Sequence, residues 1–88
     1  MYKKILKITN EYGIHARPAA LIVKKAANFQ SEIFFEKDGN KISCKSIMGL
    51  MAIEGYPGSE LTITADGVDE QEAIDAIEKL FLNKFNEN

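Results

Sequence analysis

His15, Arg17 and Ser46 are the residues whose types and settings could carry chemistry in this chain. His15 is the lone histidine, and imidazole is the side chain whose ordinary titration falls near neutral pH. It sits in the run Gly13, Ile14, His15, Ala16, Arg17, Pro18. Pro18 favours the first turn of a helix and biases Arg17 away from helical dihedrals, which puts His15 just ahead of a helix N-terminus. The unpaired amides and positive dipole end there form an anion site, and Arg17 can add a charge-assisted, bidentate contact. A phosphate on His15 would meet these donors. The same positive surroundings disfavour imidazolium and so favour a neutral, nucleophilic ring. A histidine ahead of a helix is also an ordinary surface or capping residue, and the spacing alone does not decide between the two.

Ser46 opens the apolar stretch Ile47 to Ile53 and suits a helix N-cap, which would explain it fully. A phosphorylated serine is also accommodated there, since its charge of about −2 meets the positive end of a helix. Ile47, Met48, Leu50 and Met51 are more apolar residues than two turns need for burial, so one or two should face solvent, where methionines make adaptable binding surfaces. Arg17 and Lys24 are seven residues apart on one helix, and Lys45 precedes the next. Side by side, the two helices would present an apolar patch with a basic rim, fit for acidic protein partners. Scattered surface lysines over a core-facing helix fit the pattern equally well.

Other chemistries lack residues. Cys44 is the sole cysteine, so it makes neither an intrachain disulfide nor a zinc site by itself, and it reads as a small apolar strand residue in a reducing setting. The carboxylates show no metal-ligand pattern, and Asp38, Gly39, Asn40 and Asp66, Gly67 read as turns, not as phosphate-binding loops. No metal or cofactor is expected.

These residues need elements to position them. An imperfect alternation over Tyr2 to Thr9 favours a first strand, and Asn10 and Gly13 signal a turn. Pro18, Ala19, Ile22, Val23 and Ala26 mark an amphipathic helix ending near Asn28. Glu32 to Lys37 and Lys41 to Cys44 read as a hairpin about Asp38, Gly39. A short helix follows Ser46, weakened by roughly 1 kcal/mol by Gly49. After Gly55, Tyr56, Pro57, Gly58, the strict alternation of Leu61, Ile63 and Ala65 gives a fourth strand. Asp69 and Glu72 resemble a capping box for a last helix carrying Ile74, Ile77, Phe81 and Phe85, with Asp75 and Lys79 on its wet side. The order βαββαβα suits an α+β fold, an open-faced two-layer sandwich with helices on one face of the sheet.

Composition bounds the rest. The 88 residues carry 11 Lys and Arg against 13 Asp and Glu, a net charge of −2, and 45% hydrophobic residues. A chain of this length hides roughly 60 to 65% of its extended surface, enough for one core, so a single domain over 1–88 is expected. A pI near 5.4 argues against nucleic-acid binding through phosphate contacts. The longest apolar run, Ala19 to Val23, is far below the roughly 20 residues of a membrane span, and the N-terminus shows no apolar signal core.

The segment Gly13 to Ala20, taken with Lys45, Ser46, Ile47, Met48, Gly49, Leu50 and Met51, closely resembles the HPr family, the histidine-containing phosphocarriers of the bacterial phosphotransferase system. The resemblance spans essentially the whole chain and implies a four-stranded antiparallel sheet backed by three helices. It implies that His15 takes a phosphoryl group on Nδ1 from phosphorylated enzyme I, helped by Arg17, and passes it to sugar-specific acceptor proteins. Ala16, Ala20, Lys24, Lys45, Ile47, Met48 and Met51 are then the expected partner surface. Ser46 matches the serine that HPr kinase/phosphorylase modifies in the Gram-positive type, where the modified form pairs with a catabolite-control transcription regulator. The expected protein is a cytoplasmic monomer, a stoichiometric carrier and not an enzyme in its own right. A regulatory protein acting mainly through Ser46, or a carrier of the nitrogen branch, are the alternatives. One loop departs from the family: Glu54 stands where a small residue is usual, and Tyr56, Pro57 replace a small and polar pair. Near His15, Glu54 would favour the protonated ring and alter partner fit.

Overall fold

Alternation decides the sheet. In the computed structural model, which describes residues 1–53 and 55–86, β1 (Tyr2–Lys7), β2 (Glu32–Lys37), β3 (Asn40–Ser43) and β4 (Glu60–Asp66) form one antiparallel sheet in the order β1-β4-β2-β3. Leu6, Ile33, Phe35, Leu61, Ile63 and Ala65 are buried on one face. Thr64, cross-strand from Lys3 and Phe34, lies on the other, where Ile5 remains 65% exposed. Glu54 lies outside the described residues, so the expectation attached to it has no structural counterpart.

The hairpin turns through Asp38 and Gly39 at φ 52° and 82°, the positive pair that a two-residue turn between twisted strands requires. Lys37 therefore faces Asn40, and β3 runs one residue earlier than the expected Lys41 to Cys44. β1 ends at Lys7 and not Thr9, although Ile8 still exchanges backbone hydrogen bonds with Gly58 and Ser59.

Three helices complete the order: α1 (Ala16–Ala26), α2 (Ile47–Ala52) and α3 (Glu70–Leu82). α1 begins earlier than its apolar stripe suggested and stops two residues before Asn28. Arg17 falls inside the helix, against the expectation from Pro18. Proline occupies the third helical position, where an amide has no intrahelical acceptor to lose, and the bond from Ala19 N to the His15 carbonyl (2.9 Å) closes the first turn around it. α3 packs Ala73, Ile74, Ile77 and Phe81 against the sheet. Phe85 reaches the same core by another route than the expected helical continuation. The helix stops at Leu82, and Lys84, Phe85 and Asn86, at φ 51° to 61°, turn the chain back so that Phe85 packs 4.9 Å from Phe81, itself edge-on to Phe35. Cys44 is fully buried, and desolvation pushes its thiol far above the usual range, leaving it protonated and unreactive.

The expected capping box at α3 does not form. Asp69 is the N-cap residue, but its carboxylate accepts hydrogen bonds from Ser31 Oγ and from the backbone amides of Gln30 and Ser31 (both 2.9 Å), tying the loop before β2 to the start of α3. Glu70, and not Glu72, reaches back, accepting from Gly67 N at 3.2 Å. The Ser31 hydroxyl, then the Gln30 amide, hold the Asp69 carboxyl below its ordinary 3.8. A depressed carboxyl stabilises the fold above the unfolded value and loses that contribution as pH falls through the folded one. Asp69→Asn will therefore flatten the decline of Tm below about pH 4 relative to the parent. Parallel acid limbs for the two proteins would refute the assignment.

Candidate functional site

The segment ahead of α1 is held by backbone contacts. Asn10 is buried, and its Nδ2 donates to the Gly13 carbonyl at 2.7 Å. Gly13 adopts φ 66°, and a Cβ there would lie 2.2 Å from the Gly55 carbonyl oxygen. The same oxygen accepts from Ile14 N at 2.7 Å. The loop after α2 is thus pressed against the two residues that precede His15.

His15 is the N-cap residue of α1, extended at φ −118° and ψ −164°, and its carbonyl rather than its ring serves the helix: no side-chain capping bond is made. The half-buried imidazole meets the Tyr12 ring edge-on, with centroids 6.1 Å apart at 85°. Arg17 is exposed in the first turn, which contains no acidic residue. The imidazole thus stands at the positive end of an eleven-residue helix against the Tyr12 ring, with Arg17 two residues on in the first turn. Such a site stabilises an anion carried on the ring.

Ser46 occupies a different place. It is the N-cap of α2, its Oγ accepting from Gly49 N at 3.1 Å. Lys45 Nζ donates to the Phe29 carbonyl (3.0 Å), just beyond the C-terminal end of α1, whereas the chain leaving α2 meets Ile14 near its N-terminal end. α2 accordingly runs back alongside α1, and Ser46 and His15 lie at opposite ends of the pair. The eleven residues of α1 span about 16 Å between those two ends. Between them lies the exposed apolar surface: of α2 only Leu50 is buried, while Ile47, Met48 and Met51 are 43%, 81% and 48% exposed, and Ala16 and Ala20 are exposed on α1. Lys24 and Lys45 belong to the Ser46 end of this surface.

Gly49 has a reason to be in α2. A Cβ there would stand 3.3 Å from Ser46 Oγ and 3.4 Å from Ile42 Cβ. Gly49→Ala will therefore fail to deliver the gain of about 1 kcal/mol expected of alanine in a helix, while Ser46→Ala will lose about 1 kcal/mol with the cap. Denaturant unfolding of the two variants checks both values, and a full alanine gain at position 49 would refute the packing argument.

Sequence comparison now bears on this arrangement. Residues 2–83 match the family model described as the PTS HPr component phosphorylation site. The chain belongs to the HPr family. It is 48% identical to the phosphocarrier protein HPr of Treponema pallidum over 99% of each chain, and 49% identical to the HPr-like protein Crh of Halalkalibacterium halodurans over 88% of this chain and 92% of that one. The solved structure of HPr-C-His from Thermoanaerobacter tengcongensis superposes with a TM-score of 0.96 at 44% identity, covering 100% of this chain and 99% of that one; an HPr dimer from the same organism gives 0.77 at 45%, covering 97% and 98%. HPr is a phosphocarrier of the phosphotransferase system, and the open-faced sandwich found here is its fold.

Tyr12, the Asn10 side-chain bond and the Gly13–Gly55 contact have no local signature in the sequence. Asn10 and Gly13 are visible only as turn signals, and nothing in the sequence places Gly55 against Gly13. Among the described residues no helix is long and apolar enough to cross a membrane, and no cluster of three or more His, Cys, Asp or Glu could hold a metal ion.

Proposed function

We propose that this chain carries phosphoryl groups on His15 between enzyme I and sugar-specific acceptor proteins of the phosphotransferase system. The carrying observation is the placement of the half-buried imidazole at the positive end of α1 with Arg17 in the first turn. In the transfer, a ring nitrogen, Nδ1 in the family, attacks phosphorus while the bond to the donor breaks, and the ring sheds the proton from its other nitrogen. Onward transfer reverses the sequence at an acceptor nucleophile. This chemistry needs in-line approach and charge stabilisation more than covalent help from the carrier. Arg17 and the helix end supply the second; partners docking on Ala16, Ala20, Ile47, Met48 and Met51 supply the first. In this reading the chain works as a cytoplasmic, single-domain monomer over 1–88 and turns over nothing by itself. Labelling from phosphoenolpyruvate through purified enzyme I, in parent and His15→Ala, tests the reading.

Ser46 supports a second, regulatory role, favoured by the apolar surface beside it. A phosphate on Ser46, at the other end of the helix pair from His15, acts on partners that approach Met48 and Met51 and repels an acidic docking face. Incubation with HPr kinase/phosphorylase and ATP should label the parent and not Ser46→Ala. Ser46→Asp should raise the KM for enzyme I several-fold with kcat nearly unchanged; a fall in kcat alone would place its influence on the chemistry instead.

A further inference from the structure

Lys37 closes β2 with a side chain only 7% exposed, its Nζ 2.9 Å from Asp38 Oδ2 and 4.6 Å from the centre of the Tyr56 ring. The Asp38 carboxylate holds this amine above its ordinary range, so it stays charged. A buried ammonium paired in this way adds little stability over an apolar residue of similar size. Its contact with Tyr56 suggests another use, because a cation over an aromatic face orients the ring.

Tyr56 joins that ammonium to the phosphoryl site. Its ring meets Lys37, while its Cα would stand 3.0 Å from a Cβ on Gly13. Its neighbour Gly55 accepts the Ile14 amide at 2.7 Å, and its own carbonyl is fixed by Ser59 N and Oγ. The chain of contacts is unbroken: Lys37 ammonium, Tyr56 ring, Gly55–Tyr56 backbone, Gly13–Ile14 backbone, His15. We propose that Lys37 and Tyr56 are positioning residues for His15, a clamp from the sheet that fixes the loop on which the Ile14 amide, and through it the imidazole, is set. This rests on His15 being the phosphoryl acceptor. It also gives a role to Tyr56, one of the residues at which the sequence is expected to depart from the family.

Lys37→Met, Lys37→Arg and Tyr56→Leu, each in the full chain, test the clamp through hydrogen exchange of the Ile14 amide and the kinetics of labelling by enzyme I. Lys37→Met and Tyr56→Leu should each speed Ile14 exchange about two- to thirtyfold, the span expected for loss of one cation–π contact, with the amides of β4 unchanged. Lys37→Met should lower the kcat of labelling several-fold at constant KM, since a side chain so buried does not touch the partner, and Lys37→Arg should restore both readouts. Unchanged Ile14 exchange in Tyr56→Leu overturns the proposal. So does an effect on KM alone, which would make Tyr56 a docking contact. Should Lys37→Met fail to fold, Tyr56→Leu, at a site 58% exposed, decides the question. If the parent is not labelled, the phosphocarrier reading fails while Ile14 exchange still reports on the clamp.

Discussion

His15→Ala will abolish labelling from phosphoenolpyruvate and enzyme I and leave folding stability within about 1 kcal/mol of the parent. The two halves of this expectation have separate physical grounds. Function is lost entirely because the chain holds no second histidine, and Ser46 lies at the other end of the helix pair. Stability is spared because the helix uses the His15 carbonyl, not its ring, to receive Ala19 N, and alanine keeps that carbonyl. The substitution does remove the edge-on contact with Tyr12 and a half-buried surface, an exchange within the range of a site at the edge of the core. Arg17→Ala should retain labelling at a rate lower by about tenfold, as expected when an exposed charge-assisted donor to the transferred group is lost. Arg17→Lys should recover part of it, since an ammonium keeps the charge without the bidentate fork. The chemistry of the label separates the two sites: a phosphorus–nitrogen bond hydrolyses in acid, a serine phosphate survives it. Acid-stable label on His15→Ala in the presence of enzyme I alone would overturn the assignment of the acceptor.

The parts of the molecule that could be read in advance are those governed by local rules. Leu61, Ile63 and Ala65 alternate strictly and are all buried in β4; Asp38, Gly39 makes the two-residue turn its composition suits; Ser46 caps α2 through its own hydroxyl. What escaped reading depends on partners distant in sequence. Asp69 looks like a local cap, yet its carboxylate is taken by Gln30 and Ser31, 39 and 38 residues away. Phe85 sits at helical spacing from Phe81 and is buried, but through a left-handed turn that spacing does not reveal. At the site, the place of His15 ahead of α1 could be read because proline and the helix end act within a few residues, although the same proline put Arg17 outside the helix that contains it. The loop that holds them could not, because Gly13 and Gly55 are brought together only by the whole fold. Lys37 shows the limit most plainly: a lysine closing a strand reads as solvated, yet its side chain is buried with the ammonium against the ring of Tyr56, nineteen residues on.

Gly13→Ala will be among the most damaging single changes short of emptying the core, lowering stability by about 2–4 kcal/mol and Tm by roughly 10–25 °C in a domain of this size. Two effects combine. The residue sits at φ 66°, where any side chain is disfavoured by about 1 kcal/mol or more. The added methyl would also stand 2.2 Å from the Gly55 oxygen and 3.0 Å from Tyr56 Cα. Both obstacles are backbone, so no rotamer change relieves them; the loop after α2 must move and release Ile14 N, a bond worth about 1 kcal/mol. Gly58→Ala isolates the first effect. Gly58 has φ 88° with nothing within 4 Å of the place a methyl would take, so it should lose only about 1 kcal/mol. The excess at Gly13 measures how tightly the loop is pressed on the segment that carries His15, and it should appear together with slower labelling by enzyme I in the molecules that remain folded. Equal losses at the two glycines would show that the loop yields freely, and the rigid seat proposed for the imidazole would then have no support at its base.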